Sequence, residues 1–284
     1  MKTKILIISM LCIALAALSS CSSSGEGGNK TGNQVPTLNI SVFIDLSDRI
    51  ADKKLVPNQV SRDTAIINYI VDYFVANTMG INILKSENKM KVFFYPTPAD
   101  QKISELSKQL SVDVGEKKGV EKRVALENMK VTFPITLDSI YTKTLESQKW
   151  PGCDIWDFFQ SKRVDNLCIK NNARNILVIL TDGYIYHEKN AFKDGNSYSY
   201  IGHKNIEQKD DWALIDKRNG ELSGKGLEVL MLEINPVKPS HKNRMTEILE
   251  KWFKSMGVEK FVAAETDANI TNTETILKNF LEQQ

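Results

Sequence analysis

The chain has 284 residues, of which 42% are hydrophobic and 25% are charged. Its 37 basic residues nearly balance its 35 acidic ones, and the balance becomes complete once Lys2 and Lys4 are removed with an amino-terminal leader. A chain without a basic excess is a poor candidate for nucleic-acid binding, so we exclude that class of partner.

The first 20 residues have the order of an export signal. Two lysines precede an apolar run from Ile5 to Leu18, and two serines then lead directly to Cys21. That run has 14 residues, whereas a helix that crosses a bilayer needs about 20. Residues 1–20 are therefore predicted to be a removable signal peptide.

The residues Leu-Ser-Ser-Cys that end at Cys21 resemble the lipobox of bacterial lipoproteins. The resemblance implies that Cys21 carries lipid, palmitate included, and becomes the first residue of a membrane-anchored chain. An ordinary cleaved signal followed by a chance cysteine is the alternative. By analogy with other lipoproteins, Ser22 implies the outer membrane of a Gram-negative cell, with the exposed face undecided. Residues 21–36 are predicted to be a flexible tether, and residues 37–284 a single domain.

Apolar runs and helical spacing alternate along the domain in chain order. Leu38–Ile44 is a predicted strand, followed by a helix through Ile66 and Met79 that Ser61 or Asp63 could cap and Gly80 ends. The later predicted elements are strands at Met90–Tyr95, Asn175–Leu180 and Leu227–Ile234, a helix from Met245 to Met256 that stops at Gly257, a strand at Lys260–Ala264, and a last helix opened by a capping box at Thr271–Glu274. Thr97–Trp150 is predicted to be a polar insertion with short helices.

The predicted fold is an α/β domain with a doubly wound, mostly parallel sheet and helices on both faces. Strands that are apolar throughout and alternate with amphipathic helices indicate a parallel sheet covered on both sides. Ligands of such sheets bind beyond the carboxyl ends of the strands. Two predicted strands end in an aspartate, Asp45 and Asp182, so we expect these carboxylates to meet over one edge of the sheet.

Asp45-Leu46-Ser47-Asp48-Arg49 follows the first predicted strand, and Thr181-Asp182-Gly183 follows the strand Asn175–Leu180. With these two motifs the chain resembles the von Willebrand factor A (vWA) domain family, which has a D-x-S-x-S loop and a T-D-G turn at these places. The resemblance implies a divalent cation, Mg²⁺ or Ca²⁺, held by Asp45, Ser47 and Asp182. Such hard oxygen ligands leave positions for water or a partner's carboxylate.

Two residues depart from the family pattern. Arg49 stands where the loop should have a serine, and Cys153 stands where a cation-binding threonine is expected. A thiol is a poor ligand for Mg²⁺ or Ca²⁺. Asp154 could supply the missing ligand from the next position, or Arg49 could fold inward and neutralise Asp45 and Asp182 in place of a metal.

A segment from Tyr184 to Gly226 should emerge from the same edge as Asp182. It is rich in aromatic and histidine side chains, which are typical of a protein-binding surface, and a partly ordered solvated loop is the open alternative. These residues are Tyr184, Tyr186, His187, Tyr198, Tyr200, His203 and Trp212. His187 and His203 lack partners at zinc spacing, so ordinary polar roles are expected. The sequence does not decide whether Cys153 and Cys168 form a disulfide.

The leading functional prediction is a non-enzymatic, lipid-anchored binding module that recognises another envelope or extracellular protein. One alternative is a metal-dependent phosphohydrolase of the haloacid-dehalogenase type with Asp45 as nucleophile. That chemistry needs a second acid two residues on, where Ser47 stands. The other alternative is a structural lipoprotein with a degenerate metal site.

Overall fold

A six-stranded sheet lies at the centre of the computed structural model, which describes residues 36–52 and 54–283. The predicted signal peptide, Cys21 and all but the last residue of the predicted tether lie outside these ranges. The strands are β1 (Thr37–Ile44), β2 (Lys89–Phe93), β3 (Ser111–Asp113), β4 (Ala173–Leu180), β5 (Lys193–Asp194), β6 (Ser197–Tyr198), β7 (Ala213–Leu214), β8 (Leu227–Ile234) and β9 (Lys260–Glu265). The central sheet has the order β3-β2-β1-β4-β8-β9, and β5, β6 and β7 form a small second sheet.

The central sheet is parallel except for β3, which runs antiparallel to β2 at one edge. β1 lies between β2 and β4, where Val42 is paired with Val92 on one side and Val178 on the other. Most of β1, β4 and β8 is buried, because side chains on both faces of a covered parallel sheet point into a core. The predicted mostly parallel α/β fold is confirmed.

Helices cover both faces of the sheet. They are α1 (Gln59–Gly80), α2 (Gln101–Ser107), α3 (Val120–Ser147), α4 (Ile155–Gln160), α5 (Arg163–Cys168), α6 (His203–Ile206), α7 (His241–Met256) and α8 (Ile270–Glu282). One apolar core contains side chains of α1, α3 and α8, and a second contains those of α4, α5 and α7. Within 36–52 and 54–283, no helix combines the length and apolar character of a membrane span.

Two predicted helix starts are wrong. The side chain of Asn58 caps α1 by accepting a hydrogen bond from Ser61 N at 2.9 Å, so neither Ser61 nor Asp63 is the cap. Asn269 caps α8 through Thr271 N at 3.1 Å, and the predicted capping box lies inside the helix. Several polar residues near each start are acceptable caps, and sequence alone does not rank them.

The insertion between β2 and β4 also differs from the prediction of short helices alone. It contains α3, a helix of 28 residues with Pro134 inside it. Proline normally interrupts a helix, and the apolar side chains of α3 are not confined to one face. The usual amphipathic pattern is therefore weak in its sequence.

Candidate functional site

The candidate site lies where the strand order reverses. From β1 the sheet extends through β2 to β3 on one side, and through β4 to β8 and β9 on the other. Ligands of open parallel sheets bind at such a switch point, beyond the carboxyl ends of the two central strands. Asp45 directly follows β1, and its backbone N–H donates to Leu180 O of β4 at 3.0 Å.

Asp45, Ser47 and Asp182 line one cavity of about 560 Å³ at this edge. The sequence-based expectation that the two carboxylates meet over one edge therefore agrees with the structure. Tyr184, Tyr186, Tyr200 and His203 form part of the same lining. The segment after Asp182 thus contributes aromatic walls to the cavity. Two backbone hydrogen bonds between Ile185 and Ile201, at 2.7 and 3.0 Å, join the two ends of this part of the segment.

The Asp45 carboxylate is fixed by its own loop and by the neighbouring strand end. Its Oδ1 accepts from Ser47 N at 2.8 Å, and its Oδ2 accepts from the Thr181 hydroxyl at 3.0 Å. Asp45 is 2% exposed. A third loop approaches through Gly152 N, which donates to Leu46 O at 3.3 Å.

Asp182 has an unusual protonation equilibrium. Its Oδ1 accepts from Tyr184 N at 3.0 Å. Burial, followed by the charge of Asp45, raises the pKa of Asp182 to about 7, against a smaller lowering by the Tyr184 hydrogen bond and the charge of Arg49. Two carboxylates that line the same cavity disfavour double ionisation, and a bound cation would relieve that repulsion.

Arg49 folds inward, but its closest carboxylate is one that the sequence did not indicate. Its Nη2 lies 2.7 Å from Asp63 Oδ2, and its Nε donates to the backbone oxygen of Asp45 at 2.9 Å. The side-chain oxygen of Asp45 is 4.0 Å away. Burial alone would lower the pKa of Arg49, but the charges of Asp63 and Asp45 outweigh it and raise that pKa. Arg49 therefore stays charged and is paired mainly with Asp63.

Asp154 is not brought to the cavity lining. Its Oδ1 caps α4 by accepting from Asp157 N at 2.9 Å, and its Oδ2 accepts from the Asn190 amide and lies 3.2 Å from His187 Nδ1. The expectation that Asp154 replaces the missing ligand therefore has no support in its position, because its oxygens are engaged in capping and in pairing with the inserted segment.

Cys153 does line the cavity, beside the two carboxylates. Burial, and then the charges of Asp45 and Asp182, raises the pKa of the Cys153 thiol well above its ordinary value. The side chain is thus a neutral thiol at physiological pH. Cys153 and Cys168 are both free and buried, so the disulfide left open by the sequence does not form.

The donor set fits a hard cation in part. In the described part of the chain, neither Asp182 Oδ2 nor the Ser47 hydroxyl takes part in a hydrogen bond. With Asp45 they offer two carboxylates and a hydroxyl, which suit Mg²⁺ or Ca²⁺ if water completes the shell. No group of three or more His, Cys, Asp or Glu side chains with metal-site spacing occurs in residues 36–52 and 54–283, so the hydroxyl and water are necessary for this site.

His241 and Glu207 support the site, and the sequence did not indicate either of them. Tyr184 OH lies 3.0 Å from His241 Nδ1, and His241 Nε2 lies 3.2 Å from Glu207 Oε1. These contacts hold the Tyr184 ring in the cavity wall. His241 begins α7, far from Tyr184 in sequence and outside any motif, so only the fold reveals the contact.

No protein-family model matches the chain, and no curated protein matches it. Solved structures with a similar shape include the conserved hypothetical protein BatB from Bacteroides thetaiotaomicron, at 11% identity and a TM-score of 0.42 over 87% of this chain and 100% of BatB. An aerotolerance-related membrane protein from Bacteroides fragilis has 11% identity and a TM-score of 0.41 over the same shares. The pilus adhesin SpaC from Lactobacillus rhamnosus GG has 11% identity and a TM-score of 0.41 over 88% of this chain and 31% of SpaC.

Proposed function

We propose that the chain is a non-enzymatic binding module of the vWA type, which recognises another protein of the cell envelope or its surroundings. The observation that carries the proposal is the meeting of Asp45, Ser47 and Asp182 in one cavity at the switch point of the sheet. A concave site with a few convergent polar groups at such a point is the expected place for a ligand.

The same residues would hold Mg²⁺ or Ca²⁺ in this proposal. Asp45 and Asp182 supply charge and Ser47 a hydroxyl, while open coordination positions are left to water or to an acidic group of the partner. The raised pKa of Asp182 supports the idea, because a cation would take the place of the proton that the paired carboxylates otherwise favour.

The aromatic wall is the part of the site that favours a protein as partner. Tyr186 is 57% exposed and packs edge-on against Tyr200, whose ring centroid is 5.8 Å away. Tyrosines of this kind offer a rigid apolar face together with a polar tip, and they are enriched in protein interfaces. Lys204 and His203 at the same cavity add donors for an acidic partner.

Metal binding is tested by thermal unfolding of the full chain with and without MgCl₂. We expect Mg²⁺ to raise Tm, since a ligand at a hundred times its Kd stabilises the folded state by about 2.7 kcal/mol. Asp182→Ala should abolish the rise, whereas Asp154→Asn, a control outside the cavity, should keep it. Absence of any rise with Mg²⁺ or Ca²⁺ in the unmodified chain would remove the cation from the proposal.

Membrane anchoring through Cys21 is a separate part of the proposal. Cys21→Ser should move the protein from the membrane fraction to the soluble fraction, and Cys153→Ser should leave its partition unchanged. Membrane binding that persists in Cys21→Ser would contradict lipidation.

The phosphohydrolase alternative has its own test. Metal-dependent turnover of a phosphatase substrate panel, lost in Asp45→Asn, would replace the binding proposal with an enzymatic one.

A further inference from the structure

Glu233, the next-to-last residue of β8, has a backbone conformation that is unusual for its residue type. Its φ is +66°, in the region that favours glycine and that destabilises other residues. It lies inside a strand, whereas the other described non-glycine residues with positive φ lie outside strands and helices, at Gln148, Lys162, Asn172 and Asn219. A strained residue of this kind persists only where its surroundings hold it in place.

The strained residue lies beside the turn that carries Asp182. Just before Glu233, the backbone oxygen of Leu232 accepts a hydrogen bond from Thr181 N at 3.2 Å. Just beyond the end of the strand, Asn235 N donates to the backbone oxygen of Asp182 at 3.0 Å. The pairing of β8 with β9 is shifted in register at the same place. The bend at the end of β8 therefore determines where the Asp182 turn lies.

A buried ion pair holds the side chain of Glu233. Both carboxylate oxygens accept hydrogen bonds from Arg62 of α1, Oε2 from Nε at 2.6 Å and Oε1 from Nη2 at 3.0 Å. Both residues are buried, and the Thr273 hydroxyl of α8 donates to the same Oε1 at 3.4 Å. A carboxylate bound by two nitrogens of one guanidinium has a fixed orientation. The pair therefore anchors the end of β8 to α1.

Gln59 joins this ion pair to the one beneath the loop that carries Asp45. Its Nε2 donates to Glu233 Oε2 at 3.2 Å and to Asp63 Oδ1 at 2.8 Å. Asp63 is paired with Arg49, and Arg49 Nε donates to the backbone oxygen of Asp45. A side-chain amide has two N–H donors, which match the two acceptors. One buried amide thus connects the supports of the two loops that bring carboxylates to the cavity.

We propose that Glu233 and Gln59 are positioning residues of the candidate site, which set the spacing of the Asp45 and Asp182 carboxylates from beneath. Neither residue lines the cavity, so each acts through the loops. Glu233 fixes the end of β8 to which the Asp182 turn is bonded, and Gln59 fixes that end relative to the Asp45 loop. The inference rests on the proposed cation site, because one cation must reach both carboxylates. Removing a residue that orients metal ligands weakens metal binding by about 10–100-fold.

Calorimetric titration of the full chain with MgCl₂ tests the positioning role. Gln59→Met keeps the side-chain volume and both ion pairs but removes the two hydrogen bonds, so we expect it to weaken Mg²⁺ binding by about tenfold or more. Glu233→Gln removes the charge that holds Arg62 and should weaken binding at least as much. Glu228→Gln is the matched control. Glu228 also lies on β8 and binds Arg174 through both oxygens, at 2.7 and 2.8 Å, but it is about 16 Å from Glu233 along the strand, so its variant should keep the affinity of the unmodified chain.

Maleimide labelling of Cys153 gives a second readout, which does not depend on metal. Cys153 is buried in the cavity lining, and the N–H of the adjacent Gly152 donates to Leu46 O in the loop after β1. A displaced loop should therefore expose the thiol. Cys168 is buried, and its backbone oxygen accepts from Asn39 near the amino end of β1. Labelling of Cys168, separated by peptide mass, thus reports unfolding of the whole domain in the same sample.

The two readouts distinguish failure of this inference from failure of the proposed function. Without metal, Gln59→Met and Glu233→Gln should raise the labelling of Cys153 relative to Cys168 several-fold, and Glu228→Gln should leave this ratio unchanged. If the ratio rises as expected but the unmodified chain binds no Mg²⁺, the cation is removed from the proposed function and the positioning of the two loops is supported. The positioning role is overturned if neither variant changes the ratio, if Glu228→Gln changes it equally, or if Gln59→Met binds Mg²⁺ as tightly as the unmodified chain does.

Discussion

Arg49 and Asp63 form a buried ion pair beneath the loop that follows β1, with Nη2 and Oδ2 2.7 Å apart and both side chains at most 4% exposed. Asp63 also accepts from Gln59 Nε2 and from the Tyr141 hydroxyl, each at 2.8 Å. Since Arg49 donates to the backbone oxygen of Asp45, the loop that carries Asp45 and Ser47 is tied to α1 and α3. Arg49 thus holds the loop in place, and its ion pairs are with Asp63 and Asp45 and not with Asp182.

Removing the charge of Asp63 should strongly destabilise the protein. Asp63→Asn leaves Arg49 buried without its main partner, and breaking one side of such a pair costs about 3–5 kcal/mol. Asp72→Asn on the same helix is the matched control, because its pair with Lys130 is more than half exposed on the Asp72 side and exposed pairs contribute little. Urea unfolding measures both variants. Equal, small losses of unfolding free energy would show that the buried pair is not important for stability.

Stability without metal should fall as pH rises towards 8, through Asp182. The pKa of Asp182 is about 7 in the folded state, above its ordinary value of 3.8, so the folded state binds a proton more tightly than the unfolded state does. This proton stabilises the fold fully below pH 3.8, and the stabilisation is lost as the pH rises to about 7. Asp182→Asn should therefore match the unmodified chain only below about pH 4, and its advantage should grow up to about pH 7 and persist at pH 8, where it reaches up to a few kcal/mol. Urea unfolding in EDTA across this range measures the difference. Parallel stability curves for the two proteins would contradict the raised pKa.

The positions of the main strands could be predicted from the sequence because these strands are short apolar runs bounded by turn residues. The strand Leu227–Ile234 has the predicted bounds, and α7 ends at Met256 before Gly257 as expected. Gly257 has φ +87°, a conformation that favours glycine at a helix end. Such signals are local, and they do not depend on what the element packs against.

The parts that sequence could not supply are contacts between distant segments. Asp63 looks like a helix cap in sequence, but its role as the partner of Arg49 depends on how α1 lies over the loop after β1. Asp154 stands next to the expected ligand position, yet it faces Asn190 and His187 of the inserted segment. A residue type and its spacing restrict the possible chemistry, whereas the fold decides which partner is within reach.

Gly183 should be required for the position of the Asp182 turn. It has φ +94°, and a Cβ there would overlap Met245 Sδ and lie 3.1 Å from Ile234 Cγ2. Gly183→Ala therefore combines backbone strain with overpacking, for a total loss of about 2–4 kcal/mol. Gly195→Ala is the control, since φ is +55° there but nothing lies within 4 Å of the added Cβ, and strain alone should cost about 1 kcal/mol. Similar losses in urea unfolding would indicate that Met245 and Ile234 accommodate the methyl group.

Cys153 offers a direct test of whether its position in the cavity wall contacts a bound cation. The thiol lies in the cavity lining and is neutral, because burial and the charges of Asp45 and Asp182 raise its pKa. Cys153→Ser puts a hydroxyl, a hard oxygen ligand, in nearly the same volume. If Asp45, Ser47 and Asp182 hold Mg²⁺, we expect Cys153→Ser to tighten binding by up to about tenfold, and Cys153→Ala, which only removes the sulfur, to leave it nearly unchanged. Calorimetric titration with MgCl₂ compares the three proteins. Equal affinities in the serine and alanine variants would mean that this position does not contact the cation, and that the thiol is a packing residue of the cavity wall.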